Sequence, residues 1–473
     1  MNNKSKREIS FIFLFLICIV TRIATSIYYI EDIDSLRFAL SIIDYDIAKL
    51  QPHFPGYPVF CFIAKILFLI TNSLGITFSI IGGISVFIII YYTLRLWCFE
   101  LLLPQGIFCT ALIFLNPLLW LMSNRYMPDV MGVAVTIAAL YYLINNEKDN
   151  KNVFIGFFLA GLLTGVRLSY TPFLLLPMVY HFLNHKKKPY ILQSFSIGCF
   201  LWFLPLIWIT GIDNLYLAAL KQTSGHFSEF GGTIITDANL FDRGINLIRS
   251  IWADGLGCYW VGRSWQTLFL SIPMLYLLYQ GLNSMKISIM DKKYMIIVGS
   301  IIVYLIWIFF FQNVIYKSRH ILPLIVFAIA LINTGIVAMV DKNKFIPNLV
   351  IGIFFLSLIN ITMVLVYQHK NPTSISKIKD DLINKQNINT VVSIPLINYF
   401  LKSHQVESEF LDVEDSVDIE EIKLLDRDSL LLIGSFNEKF SDNYNVISDT
   451  VYFHNIYVNR MWSEISIYQL VKK

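Results

Sequence analysis

Apolar runs of about 17 to 25 residues recur along the chain from Phe11 to Val366, and each is the length a helix needs to cross a bilayer. In hydrocarbon every backbone N–H and C=O must be satisfied within the protein, so such runs fold as helices. The composition agrees. Of 473 residues 56% are hydrophobic and only 15% charged, with a mean hydropathy of +0.61, against roughly 25% charged in soluble domains. The sequence therefore predicts an α-helical polytopic membrane protein. The net charge of +4 is small and confined to loops, which speaks for orientation and against a nucleic-acid partner. Six cysteines are scattered without metal spacing or the pattern of a disulfide framework.

Basic loops set the sidedness. Lys148 and Lys151, Lys186-Lys187-Lys188, Lys286 with Lys292-Lys293, and Lys342 with Lys344 fall in short connections expected to be cytoplasmic. The helices between them are expected near 76–96, 105–122, 127–144, 153–170, 172–184, 190–210, 264–282, 294–313, 319–339 and 346–366. Lys4, Lys6 and Arg7 precede the first apolar run with no small-residue cleavage site after it, so that run is expected to be a retained anchor with a cytoplasmic N-terminus. Parity then forbids Val59 to Ile70 from crossing, and the segment is short, carries Lys65 and follows prolines. Residues 31–75 are expected to form one outer loop with two surface helices, 34–49 and 57–71. About eleven spans result, with the C-terminus outside.

Residues 211–262 form a second outer loop, rich in glycine (Gly225, Gly231, Gly232, Gly255, Gly257), of the kind that can cover a site as a lid. After Tyr367 charge rises and apolar runs shorten. Thr390–Ile394 and Leu430–Gly434 read as strands, and Ile397–Ser403 and Val417–Leu425 as helices. Residues 367–473 are thus expected to be a small extracytoplasmic α/β domain, beside a membrane domain at 1–366.

The outer loops collect the polar residues. The first holds Glu31, Asp32 and Asp34, then His53-Phe54-Pro55-Gly56-Tyr57-Pro58. Carboxylates at the mouth of a membrane helix are costly unless they meet a polar ligand, although Asp34 and Ser35 would also serve as helix caps. Between two helices lies Ser123 to Asp129; Asp129 could serve chemistry or simply start its helix after Pro128. Arg167 lies near the outer end of another helix, where snorkelling is the alternative role. Lys317, Arg319 and His320 cap the outer end of a late helix, against the usual distribution of positive charge. His53 either stacks on Tyr57 or binds substrate. Acids in one group and bases in another suit an anionic leaving group opposite a general base.

This order of motifs resembles the GT-C glycosyltransferases, polytopic enzymes that use polyprenyl-phosphate-linked sugars and include protein O-mannosyltransferases and lipid A aminoarabinose transferases. The resemblance covers roughly residues 9–340, and Phe54 stands where a proline is frequent. It implies a GT-C fold in which the family's first-loop catalytic acid falls on Asp34 or Asp32, with Asp34 favoured and Asp32 or Glu31 as helper. The second-loop acid would be Asp129. Arg319, with Lys317 and Arg167, would hold the lipid phosphate, and His53, Tyr57, His320 and Glu31 would complete the substrate site. It implies no cofactor and no catalytic metal. The partners would be a polyprenyl-phosphate sugar donor and a lipid, glycan or protein acceptor, at the plasma (inner) membrane. A secondary transporter would show internal repeats and midplane charges, and neither is seen. An O-antigen polymerase or ligase would carry its catalysis on a large late outer loop, whereas here the acids come early.

Overall fold

The computed structural model describes residues 3–145, 149–229, 233–236, 239–285, 291–313, 317–340, 345–384, 390–425 and 427–473. Lys148, Gly231, Gly232, Lys286, Lys342 and Lys344, used above for orientation and for the second loop, lie outside them. The chain forms two compact units. The first comprises Met1–Ile27 and Leu40–Tyr367, the second Tyr28–Ala39 and Gln368–Lys473.

The first unit is helical. Helices run α1 (Asn3–Ala24), α2 (Ile33–Ile43, which begins in the second unit), α3 (Pro58–Thr71), α4 (Leu74–Leu96), α5 (Pro104–Phe114), α6 (Pro117–Asn124), α7 (Asp129–Ile144) and α8 (Asn150–Arg167). They continue with α9 (Leu175–Asn184), α10 (Lys188–Thr210), α11 (Ile212–Ser224), α12 (Leu240–Arg249), α13 (Leu268–Met285), α14 (Lys292–Phe311), α15 (Leu322–Val340) and α16 (Phe345–His369). Among the described residues six helical stretches are long and apolar enough to cross a membrane, and seven if α5 and α6 count as one. The segments α3 and α7 are apolar but shorter, at 14 and 16 residues.

Three expectations are corrected in detail. The surface helix expected over 34–49 stops at Ile43. Asp46 accepts from the Ala48 amide at 2.9 Å, and its own backbone pairs with Gln51, so side-chain competition turns the chain instead of extending the helix. The helix expected over 105–122 is broken by 52° between α5 and α6. Pro117 has no N–H to continue the ladder, and the Asn116 side chain caps α6 by accepting from the Leu119 amide at 2.9 Å. The carbonyls freed at the break find donors inside the protein: Arg22 Nη2 donates to Phe114 O at 3.0 Å and Thr362 Oγ1 to Leu115 O at 2.6 Å. Finally, the helices expected over 153–170 and 172–184 have other bounds: α8 stops at Arg167 and α9 starts at Leu175, and a 3₁₀ segment over Leu168–Leu174, where Pro172 sits, joins them.

Small residues bring some helices unusually close. A Cβ on Gly161 of α8 would lie 2.3 Å from the Phe195 carbonyl, and one on Gly198 of α10 would lie 2.3 Å from the Phe158 carbonyl. The two backbones touch directly, as small-residue seams allow in membranes.

Within residues 211–262, expected as a second outer loop, lie the helices α11 and α12. In the second unit the sheet is β1 (Thr390–Ser393), β2 (Glu409–Asp412), β3 (Ser429–Ile433), β4 (Tyr444–Phe453) and β5 (Glu464–Lys472), in the order β2-β1-β3-β5-β4. Strand β1 runs parallel to β2 and β3, while β5 is antiparallel to β3 and β4. Helices α17 (Ser374–Asn384), α18 (Pro395–Ser403) and α19 (Ser416–Leu424) accompany it, around a core of Val392, Ile419, Leu430, Leu432, Phe440 and Leu470.

Candidate functional site

Polar residues concentrate in two clusters, one in each unit. In the first unit, helix ends supply the groups. Asp129 is the first residue of α7, after Pro128, and its side chain is fully buried. Arg167 is the last residue of α8, where φ −155° and ψ 84° turn the chain from α-helix into the 3₁₀ segment that carries Tyr170. Arg319 lies in a second 3₁₀ turn, Ser318–Ile321, just before α15. Tyr57 precedes α3 at φ 46°, an uncommon conformation for a non-glycine residue and one that clusters at functional sites.

These elements converge on one carboxylate oxygen. Asp129 Oδ1 meets Arg167 Nη2 at 2.9 Å and Arg319 Nε at 3.9 Å, and it accepts from the Tyr170 hydroxyl at 3.3 Å. Asp129 Oδ2 is buried with no hydrogen-bond partner among the described residues. Tyr170 OH also lies 2.9 Å from the Arg319 carbonyl, which couples the two 3₁₀ turns. Arg167 Nη1 donates to Tyr57 OH at 3.2 Å, and Tyr57 OH lies 3.0 Å from His53 Nε2. The His53 and Tyr57 rings also meet edge to face at 5.2 Å, so stacking and hydrogen bonding coexist. The 52–58 turn is braced by Tyr45, whose hydroxyl donates to the Gly56 carbonyl at 2.8 Å; burial, with Cys61 nearby, raises its pKa well above the usual value and keeps it a donor.

Gly132 makes the convergence sterically possible. A Cβ there would stand 2.7 Å from Arg167 Cβ and 3.0 Å from Tyr170 Cδ2. His320 is buried beside Arg319; its carbonyl accepts from Tyr304 OH at 2.7 Å, and its Nδ1 has no hydrogen-bond partner among the described residues. Lys317 is half-buried two residues earlier. Two guanidiniums thus share one carboxylate in the interior of a helical membrane unit.

The second cluster is acidic. Glu31, Asp32 and Asp34 are all buried. Glu31 Oε1 pairs with His369 Nε2 at 2.9 Å, and Thr373 Oγ1 donates to the Glu31 carbonyl at 2.8 Å. Asp32 caps α2: its Oδ1 accepts from the Ser35 amide at 2.8 Å, while its Oδ2 accepts from Asn459 Nδ2 at 2.9 Å. Asp34, inside the first turn of α2, has the Arg37 guanidinium at 4.0 Å. Among the described residues no group of three or more His, Cys, Asp and Glu side chains is arranged to hold a metal ion.

The sequence named most of these residues but not their partners. Gly132, Tyr304 and His369 carried no motif, and His369 and Asn459 lie 338 and 427 positions from the acids they meet. Tyr170 had one usable signal, its place three residues after Arg167 at a helix end.

Together these features define a polytopic helical membrane protein with buried ion clusters at its helix ends. No protein-family model matches the sequence, and no curated protein matches it by sequence. Solved structures do match. ArnT from Cupriavidus metallidurans bound to undecaprenyl phosphate superposes with a TM-score of 0.55 at 8% identity, over 97% of this chain and 97% of that one. Its apo form gives 0.52 at 8% identity over 99% and 98%. The Archaeoglobus fulgidus oligosaccharyltransferase complexed with zinc and sulfate gives 0.51 at 11% identity, over 89% of this chain and 67% of that one. At these identities the likeness is one of fold: the chain has the GT-C fold, with a small C-terminal sheet domain.

Proposed function

We propose that this chain is a membrane glycosyltransferase of the GT-C type, moving a sugar from a polyprenyl-phosphate donor to an acceptor hydroxyl. The observation that supports this best is the buried cluster in which Arg167 and Arg319 both reach Asp129. Buried guanidiniums held in a fixed geometry suit an anionic group such as a phosphate. In this reading Asp129 and Tyr170 hold the guanidiniums in place, and the guanidiniums stabilise charge growing on the phosphate as it departs. Asp34, the acid that the family resemblance favours as base, takes the proton of the acceptor hydroxyl, while the oxygens of Asp32 serve the α2 cap and Asn459. The acceptor oxygen forms its bond to the sugar C1 as the C1–O bond to phosphate breaks. The electron pair leaves with the phosphate, and the configuration inverts in one displacement.

The proposal also takes residues 1–366 as the membrane domain and 367–473 as an extracytoplasmic domain, with a cytoplasmic N-terminus, in the plasma membrane. The likeness to a structure bound to undecaprenyl phosphate supports a lipid-linked donor. The test is to incubate the purified protein with a panel of polyprenyl-phosphate sugars and measure released polyprenyl phosphate. Release with one donor class is expected, with Arg319→Ala weakening donor use and Asp34→Asn abolishing turnover in a normally folded protein. Absence of turnover with every donor, together with solute uptake in proteoliposomes, would sink the proposal in favour of transport.

A further inference from the structure

We infer that α12, in the second outer loop, is an in-plane membrane helix whose apolar face is covered by lipid. Its ten residues, about 15 Å of helix, are too few to span hydrocarbon. Their pattern is sharply two-sided. Leu240, Phe241, Ile245 and Ile248 recur on one face and are 51%, 76%, 38% and 59% exposed. Asp242, Arg243, Asn246 and Arg249 take the other face. A helix with one strongly polar and one wholly apolar side is the signature of interfacial binding.

What fixes its depth is the end of α14, one of the helices long and apolar enough to cross the membrane. A helix leaves its last carbonyls without intrahelical donors. Here the second loop supplies them all after Ile308, whose carbonyl the Gln312 amide takes. Arg243 of α12 is fully buried and donates through Nε to Phe309 O at 3.0 Å and through Nη2 to Gln312 O at 3.2 Å. The Ile234 amide donates to Phe310 O at 3.0 Å, and His226 Nε2 to Phe311 O at 2.8 Å. The polar side of α12 is thus bolted to the carbonyl terminus of a spanning helix, at the level where the chain leaves the hydrocarbon.

The loop's other end is tied in the same way. Gly211, at φ 78°, joins α11 directly to the spanning helix α10, whose last turns expose Trp208 and Ile209. The exposed surface of α10 continues into Ile212, Tyr216 and Leu217 of α11. As a helix long and apolar enough to span, α10 presents that surface to lipid, and lipid is the occupant that fits the other. A second copy of this chain would have to displace that lipid.

The experiment places single cysteines at Phe241, Ile248 and Asp242 of the full chain, in a background where Cys98 and Cys199 are serine, labelled with an environment-sensitive fluorophore in proteoliposomes. Loss of emission to nitroxide-bearing lipids at 241 and 248, but to aqueous iodide at 242, is the expected result. Equal iodide quenching at all three positions would mean a water-exposed lid and would overturn the inference. Protection from both quenchers at 241 and 248, with cross-linking between chains, would overturn it in favour of a protein partner. Since Phe241 and Ile248 are exposed, gel-filtration behaviour is expected to be unchanged. Arg243→Met supplies the converse: the lipid quenching at 241 should fall as α12 is released from α14.

Discussion

The two charged clusters are built on opposite ratios. In the membrane unit two arginines converge on Asp129, and every contact reaches the same oxygen. In the second unit three carboxylates crowd at the start of α2, with His369 on Glu31 and Arg37 near Asp34. In the first cluster the carboxylate acts as a clamp on the guanidiniums. In the second, Glu31 and Asp32 hold His369, Asn459 and the start of α2, and Asp34 lies near Arg37 in the first turn of that helix. Formal charge near a membrane therefore says little until each oxygen has been assigned a partner. The same residue type caps a helix at Asp32 and holds a guanidinium at Asp129.

The largest effect should come from breaking the clamp. Arg167→Met leaves Asp129 buried against the longer Arg319 contact, and losing one partner of a buried pair costs about 3–5 kcal/mol. A large drop in thermal midpoint in detergent is expected, partly restored by adding Asp129→Asn. An unchanged midpoint would show that the pair contributes nothing to the fold. Next, Gly132→Ala pushes a methyl into Arg167 and Tyr170, for about 1–3 kcal/mol of overpacking. Its effect should shrink in the Arg167→Met background, and simple additivity of the two would argue against a shared contact.

The acidic cluster should respond more gently. Asp32→Ala loses the cap and the Asn459 bond, about 1–2 kcal/mol, while Asp32→Asn keeps an acceptor and most of that stability. Asp34→Asn is expected to leave the midpoint close to wild type while removing turnover. If Asp32→Asn removes turnover and Asp34→Asn does not, the roles drawn here are reversed.

The smallest effect concerns pH and the second unit alone. His404 lies against the Phe400 ring at 4.4 Å, and burial lowers its pKa below 6.5, opposed by its bond to the Phe400 carbonyl. Below pH 6.5 the unfolded chain then binds the proton more readily than the folded one. Stability from this group is complete above pH 6.5 and declines as the pH falls towards the folded value. His404→Gln should flatten that part of the midpoint-against-pH curve; a curve identical to wild type would assign the titration to another group.

Much of the membrane unit was legible because lipid imposes one rule, that the backbone closes on itself in helices. Asp129, Arg167 and Arg319 announced themselves as charges at the ends of apolar runs. Their convergence did not, since it depends on a 3₁₀ turn at Leu168–Leu174 and on the missing side chain at Gly132. The second unit was read less completely. Strands β2, β4 and β5 and helix α17 went unseen; β2 is only four residues long, and β4 is exposed along most of its length. The pair Glu31–His369 joins residues 338 positions apart, and no local pattern encodes such a contact.

The glycine seam between α8 and α10 has a consequence at the far end of α8. Because backbone meets backbone at Gly161 and Gly198, the helix cannot slide along its neighbour without collision. Arg167 is the terminal residue of that helix, so the seam sets its elevation. A slip of one residue would displace the guanidinium by about 1.5 Å, enough to open the 2.9 Å contact to Asp129 beyond hydrogen-bonding range. Two positions with neither charge nor side chain thus act as the depth gauge for the guanidinium that meets Asp129.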